Sequence, residues 1–272
     1  MATCETHADR TARRECTQCD KTWCMECVRV VGSASKEICA GCGALVRTYR
    51  GRGSTDEADV VDAIRRPFTI EGITTALAFA VFYWIGGALG ILVLFHLSAL
   101  VAYYFTVIHH VAGGGEGLPG PSDATDSWTE TLGFVFRGIA CLLVGAIPLI
   151  VARYALGPIQ PPTALALLIA GQALMPAALI AVFFTSSTVS ALYPVAWVQV
   201  IARAPGAYAK FAAIWLGSVV VGLALFYLGV ELLEPVPFVG RLLAAFVWNV
   251  FWFAQASLVG AFVRNNARAF GF

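Results

Sequence analysis

A small zinc-binding domain joined to an all-α polytopic membrane bundle of about six transmembrane helices is the fold class this sequence predicts, on three observations. Cys4/His7, Cys16/Cys19, Cys24/Cys27 and Cys39/Cys42 form four ligand pairs in the first 42 residues, each pair separated by two residues. The 272-residue chain is 58% hydrophobic and only 13% charged, outside the range of soluble globular domains on both counts. The charge is also uneven, because residues 1–66 hold 11 of the 18 Lys and Arg and 10 of the 17 Asp and Glu. The boundaries that follow are 1–46 for the metal-binding domain, 47–66 for a polar linker and 67–272 for the helical membrane domain.

A C-x2-C or C-x2-H turn lets two donors converge on one metal, and four such pairs supply the eight donors that two closed tetrahedral sites need. Paired C-x2-C spacings are an unusual way to build a disulfide framework, and a histidine in register with them favours metal. The second and third pairs are separated by only four residues. That short link favours cross-bracing, with Cys4, His7, Cys24 and Cys27 on one zinc and Cys16, Cys19, Cys39 and Cys42 on the other. Two sequential ribbons, the first two pairs sharing one metal and the last two the other, are the alternative. Four protein donors per ion leave no open position for a water, so both zinc ions are expected to be structural. A head of this size buries too little apolar surface to fold alone, and zinc is expected to supply most of its folding free energy, with Trp23 in its small core.

Cys4-x2-His7, Cys16-x2-Cys19-Asp20 and Trp23-Cys24-x2-Cys27 resemble the start of a B-box zinc finger over about 40 residues. B-box domains often end in histidines where this chain has Cys39 and Cys42, which are chemically competent replacements. RING spacing, with a histidine after the third cysteine, fits less well and weakens a ubiquitin-ligase reading.

Residues 47–66 are polar and mixed in charge, with Gly51, Gly53 and Ser54 marking a flexible connection. A helix is expected from Asp56 to Arg66, capped by Ser54 or Thr55. Residues 1–30 contain no apolar core of a cleavable leader, so the first hydrophobic stretch is expected to act as the anchor. Apolar spans are expected near 68–86, 90–111, 133–156, 163–185, 209–231 and 238–263. A turn at Gly86, Gly87 and Gly90 would close the first hairpin, although Gly86-x3-Gly90 also suits helix packing.

With the head inside, Arg65, Arg66, Arg137, Arg203, Lys210, Arg264 and Arg268 fall at inner ends, against Arg153 and Arg241 at outer ones. The positive-inside rule then places both termini in the cytoplasm, consistent with reduced zinc thiolates. Segment 186–208, interrupted by Pro194 and Pro205, is expected to lie along the membrane. Tyr193, Trp197 and Tyr208 would sit in the headgroup zone, with a re-entrant helix as the alternative.

Tyr103-Tyr104-x2-Val107-Ile108, the Gly-rich turn before Leu118-Pro119, Ala191-Leu192-Tyr193-Pro194 and Arg264-Asn265-Asn266 with Gly271 resemble Yip-type multi-span domains and related bacterial membrane proteins over 67–272. The resemblance implies a multi-span fold, and fold likeness does not transfer the traffic role of eukaryotic Yip proteins. High Ala, Gly, Val and Arg usage suggests a bacterial cytoplasmic membrane.

Gln172, Asn249 and Gln255 are expected to hydrogen-bond between helices. His109 and His110, about 100° apart on a helix, are expected to be interfacial rather than a metal pair, and Cys141 a buried hydrophobe. Asp123, Asp126 and Glu130 read as solvated acids. No G-x-S-x-G, P-loop or H-E-x2-H occurs, and no enzyme activity is expected. The head's net charge of +1, 11 basic minus 10 acidic residues, gives no polyanion-binding face, so nucleic acid is not an expected partner. The function expected is a protein-interaction adaptor or membrane organiser whose partner is the bilayer plus a cytoplasmic protein or a second copy. The alternative is a small-solute or lipid transporter or channel regulated by the head.

Overall fold

The structure, a computed structural model, describes residues 3–7, 10, 12, 14–16, 18–19, 21–31, 36–44, 46–48, 56–89, 91–120, 128–233, 236 and 239–270. It divides into two compact units, Met1–Val61 with Ala267–Phe272 and Asp62–Asn266.

In the first unit, strands β1 (Arg14–Cys16), β2 (Thr22–Trp23), β3 (Val28–Val31), β4 (Lys36–Cys39) and β5 (Val46–Thr48) form two antiparallel sheets, β2-β1-β5 and the hairpin β3-β4. A 3-10 turn, Met25–Cys27, links β2 to β3. Strands of two to four residues cannot stabilise themselves. Their core is Cys4, Cys16, Trp23, Cys24 and Cys39, so four of its five buried side chains are expected metal ligands. Arg14 on β1 forks onto Glu37 on β4, with Nη2 donating to Oε1 at 3.1 Å, and ties one sheet to the other. Pairing of Cys16 with Val46 and of Arg14 with Thr48 carries the sheet past residue 46. The first residues assigned to the linker therefore belong to the head, because their backbone groups complete the free side of β1. Ser54 and Thr55, with the glycines of the linker, lie outside the described residues.

The helices are α1 (Asp56–Arg65), α2 (Ile70–Leu89), α3 (Ile91–Ala112), α4 (Trp128–Leu156), α5 (Pro161–Gln172), α6 (Met175–Thr185), α7 (Thr188–Leu192), α8 (Pro194–Arg203), α9 (Pro205–Leu233), α10 (Val239–Asn265) and α11 (Ala267–Phe270). Among the described residues five stretches are long and apolar enough to cross a membrane: Phe95–Ala112, Leu132–Leu156, Pro161–Thr185, Pro205–Gly229 and Val239–Asn265. A sixth arises only if Val60–Phe68 and Ile70–Ile85, bent by 60°, count as one. Of the glycines expected in the first turn, Gly86 and Gly87 lie within α2, which continues to Leu89 before α3 opens at Ile91; Gly90 lies outside the described residues.

Within the second unit α10 is the hub, packing on α2, α3 and α9. Its face from Phe253 to Val263 is buried throughout. Tyr103 meets Phe253 edge-on at 4.8 Å between ring centroids and lies tilted against Phe79 at 5.4 Å, while Phe211 stacks on Phe262 at 4.4 Å. Tyr103–Phe253 with Val111–Gly260 makes α3 run with α10. Phe79–Tyr103 with Phe82–His96, Phe105–Phe134 with Val101–Gly138, and Phe211–Phe262 with Gly222–Phe251 make α2, α4 and α9 run against them. Tyr83, Trp84, Tyr154 and Tyr227 are exposed near the ends of α2, α4 and α9 that share one side, the placement of an aromatic belt at a membrane surface. Arg66, Arg137, Lys210 and Arg264 gather toward the opposite side, where α2, α4 and α9 begin and α10 ends.

Two expectations about 163–208 change. The stretch Pro161–Thr185 is broken at Ala173–Leu174, because Pro176 opens α6 without a backbone N–H to continue α5. The freed Ala173 carbonyl accepts a hydrogen bond from Tyr208 Oη at 2.6 Å. Tyr208, expected in the headgroup zone, is 5% exposed inside the unit. The 186–208 segment becomes two short helices, α7 and α8, plus the first turn of α9, with Pro194 and Pro205 each starting a helix rather than kinking one. Tyr193 remains exposed. The loop after α3 is also shorter than expected, as α4 begins at Trp128.

Gly171 meets α4 so closely that a Cβ there would lie 1.7 Å from the Gly145 carbonyl oxygen. Gly171→Leu is expected to separate α4 from α5 and cost about 1–3 kcal/mol, read as a lower melting temperature of the detergent-solubilised chain, whereas Gly206→Leu, with open space around its Cα, leaves it nearly unchanged.

Candidate metal centre

The first unit brings its eight donors into two groups, Cys4, His7, Cys24 and Cys27 in one and Cys16, Cys19, Cys39 and Cys42 in the other, with all four ligand atoms of each group within 4.8 Å of one another. The separations match a tetrahedron. A Zn–S bond of ~2.3 Å and a Zn–N bond of ~2.0 Å give edges of ~3.8 Å for S···S and ~3.5 Å for S···N. Cys4–Cys27, Cys24–Cys27 and Cys19–Cys39 are each 3.7 Å apart, and Cys24 Sγ lies 3.5 Å from His7 Nδ1. Cys16–Cys42 at 3.3 Å and Cys27–His7 at 3.2 Å are tighter. All the cysteines are free thiols. The donor chemistry, four sulfurs in one group and three sulfurs with one imidazole in the other, suits a soft or borderline divalent ion.

Backbone geometry explains why the donors converge. Gln18 and Cys19 amides donate to Cys16 Sγ at 3.4 Å each, and the Gly41 amide donates to Cys39 Sγ at 3.3 Å. Such amides orient and stabilise thiolates. The turn after Cys39 closes through Gly43, whose φ of +75° suits glycine and strains other residues. Thr22 Oγ1 donates to the Thr3 carbonyl at 2.8 Å and the Glu5 amide to the Thr22 carbonyl at 2.8 Å, seating the Cys4 pair against β2. Trp23, 5% exposed, packs its ring against Gly41 in the second loop, so it is a core residue between the groups.

Without a metal the groups titrate unevenly. Burial opposes the Cys4 thiolate, but amides of Cys24, Thr6 and His7 outweigh it and lower Cys4 to about 6. Cys39 falls to about 6 in the same way, burial being overcome by the amides of Cys42 and Gly41. Burial and the neighbouring Cys24 and Cys4 sulfurs push Cys27 up to about 11. At Cys19 the Lys21 amide favours the thiolate, but burial and the other three sulfurs win and raise it to about 12. His7 is raised, chiefly by its bond to Cys24. Each group therefore holds some donors ionised and others protonated, as four like charges at such distances require. A divalent ion removes that conflict.

The structure also places what lies outside the head. Asn249 Nδ2 donates to the Ala76 carbonyl at 3.2 Å and Gln255 Nε2 to Ser218 Oγ at 3.3 Å, both between helices. Gln172 reaches Gly145 on α4. His109 lies against Phe183 at 4.5 Å and His110 Nε2 is 3.2 Å from the Glu116 carbonyl, so the two imidazoles do not address one ion. Cys141 is fully buried. Asp123 and Asp126 lie outside the described residues.

Three contacts had no signal in the sequence. Arg66, expected only to mark an inner end, is buried and its Nη1 donates to the carbonyls of Gly115 at 2.6 Å and Gly117 at 3.2 Å. His96 is buried beside Phe79, Phe82 and Tyr83. Arg14 and Glu37 join the two sheets; opposite charge at 23 residues' separation could have nominated them, but so could many other pairs.

The chain matches no protein-family model, no curated protein and no solved structure. Fold and site define a chain with helices able to cross a membrane and a Cys/His head able to hold two metal ions.

Two outcomes follow for the head. Chelation of its metal is expected to abolish its near-ultraviolet Trp23 signal and open all seven head cysteines to alkylation, as counted by mass spectrometry, since four of the five core residues are ligands. Metal binding at pH 7 is expected to release protons, because thiols raised as Cys19 and Cys27 are remain protonated at that pH and bind a metal as thiolates.

Proposed function

We propose that this is an integral membrane protein whose two structural zinc ions fold a cross-braced cytoplasmic head that binds a protein partner or a second copy of the chain. The observation that carries the reading is the closure of both donor groups. Four protein ligands at tetrahedral distances leave no position for a reacting water, so the ions hold a surface rather than perform chemistry. The apolar helices supply the anchor. The excess of arginine at one side of the second unit, opposite the Tyr83, Trp84, Tyr154 and Tyr227 belt, supports an orientation with that side and both termini in the cytoplasm of a bacterial cell. The likeness of the first 40 or so residues to a B-box favours protein recognition over catalysis.

The test is proximity labelling from the head in native membranes, comparing wild type with Cys24→Ser. A defined set of labelled proteins, or labelling of the chain's own copies, that disappears in the variant at unchanged membrane abundance is expected. An identical set in both removes the adaptor reading.

One observation favours a second reading, a small-solute or lipid transporter governed by the head. The break at Ala173–Leu174 places irregular backbone inside the second unit, a device used by transporters. Its freed carbonyl is taken by Tyr208, however, which gives the break a closed structural account. Solute flux in proteoliposomes that depends on the chain would promote this reading.

A further inference from the structure

The eight donors are not equally accessible. Cys4, Cys16, Cys24 and Cys39 are buried, His7, Cys19 and Cys27 are half-buried, and Cys42 is exposed. Cys42 is also in the tightest sulfur pair, 3.3 Å from Cys16, closer than the ~3.8 Å edge that a regular tetrahedron of zinc thiolates gives. The two cysteines differ in mounting. Cys16 ends β1, paired with Val46 on β5 and with its amide donating to the Lys21 carbonyl at 2.9 Å, whereas Cys42 sits on the turn after β4 beside Gly43. A fixed sulfur and an exposed sulfur on a turn need only a small approach to reach bonding distance.

We propose that Cys42 and Cys16 form an oxidation site that responds to hydroperoxides, a property that rests on the zinc-folded head and extends it to regulation. The exposed Cys42 thiolate attacks a peroxide oxygen, the O–O bond breaks, and hydroxide (or the alkoxide of an organic hydroperoxide) leaves with the electron pair, giving a sulfenic acid. The Cys16 thiolate then attacks that sulfur, the S–S bond forms and hydroxide departs. Two thiolates are oxidised by two electrons and one peroxide is reduced; protons from solvent convert the leaving groups to water or alcohol. The Cys16/Cys19/Cys39/Cys42 group thereby loses two of its four donors, and with them the metal link between β1 and β4. Arg14–Glu37 and the new disulfide then tie β1 to the β4 side, while the Cys4/His7/Cys24/Cys27 group keeps all its donors.

The experiment treats the purified, zinc-loaded full chain in detergent with graded hydrogen peroxide, quenches by alkylation, and maps disulfides by non-reducing peptide mass spectrometry while counting bound zinc. The expected first product is a Cys16–Cys42 disulfide, with the metal count falling from two to one and Cys4, Cys24 and Cys27 recovered as thiols. Dithiothreitol followed by zinc restores the count. A first disulfide within Cys4, Cys24 and Cys27, a Cys19–Cys39 disulfide, joint loss of both ions, or oxidation of Cys42 beyond sulfenic acid without a bridge overturns the proposal. These readings use the wild-type chain and do not depend on a variant that folds. An untreated chain with fewer than two ions overturns the zinc-head reading and this proposal together, whereas two ions at the start followed by any other first product overturns this proposal alone.

Discussion

Four ionisable donors held within 4.8 Å of one another are a repulsive arrangement, and the head is built around two of them. The ligands are also the core: Cys4, Cys16, Cys24 and Cys39 occupy the buried centre that leucines or valines would fill in a larger domain. Removing positive charge therefore removes packing as well as coordination. Protonation relieves the repulsion only in part, as the spread from about 6 at Cys4 and Cys39 to about 12 at Cys19 records. Strands of two to four residues, one Arg14–Glu37 fork and one buried Trp23 cannot offset this alone, and a metal ion held by each donor group would supply the difference.

The second unit meets a different constraint, satisfaction of backbone groups where water is scarce. Most are satisfied within long helices. Where the chain departs from that, a side chain compensates: Tyr208 takes the carbonyl freed at Ala173, Arg66 takes two carbonyls of the Gly-rich loop, and Tyr103 donates to the Pro119 carbonyl at 2.7 Å. Close backbone approach does the remaining work, with Gly171 against Gly145 and Gly260 against Val111. Apolar side chains such as Phe136, Ile150, Val151 and Leu232 remain on the outside, the inverse of a water-soluble bundle.

How much of this is legible in the sequence differs between the units. Donor pairs advertise themselves, since an x2 spacing is dictated by the geometry of one turn at one metal, and the short step from Cys19 to Cys24 favours the grouping that the donor atoms adopt. Long apolar runs are visible for the same reason: the thickness of a membrane sets their length. The break at Ala173–Leu174 is not visible, because Pro176 in an apolar run reads equally as a kink, a terminus or a packed proline. Arg65 and Arg66 are chemically identical neighbours, yet a rotation of about 100° leaves one exposed and buries the other. Which of the two reaches Gly115 depends on a loop 49 residues away. His96 is silent in the sequence because its surroundings come from α2.

The enclosure of α6 has a consequence for biosynthesis. Pro176 to Val182 are buried on every side, among α4, α5, α7, α8 and α10. Three of those five neighbours are synthesised after α6, so the segment leaves the ribosome before its cover is complete. The Ala173 carbonyl waits for a partner 35 residues downstream, an interval of roughly 2–7 s at ordinary elongation rates. During that interval α5, whose described side chains stay largely exposed in the finished unit, already sits in its final kind of surroundings, while α6 does not. Insertion and enclosure of this one hydrophobic stretch are therefore separate events in time, and the second is completed only when α10 emerges.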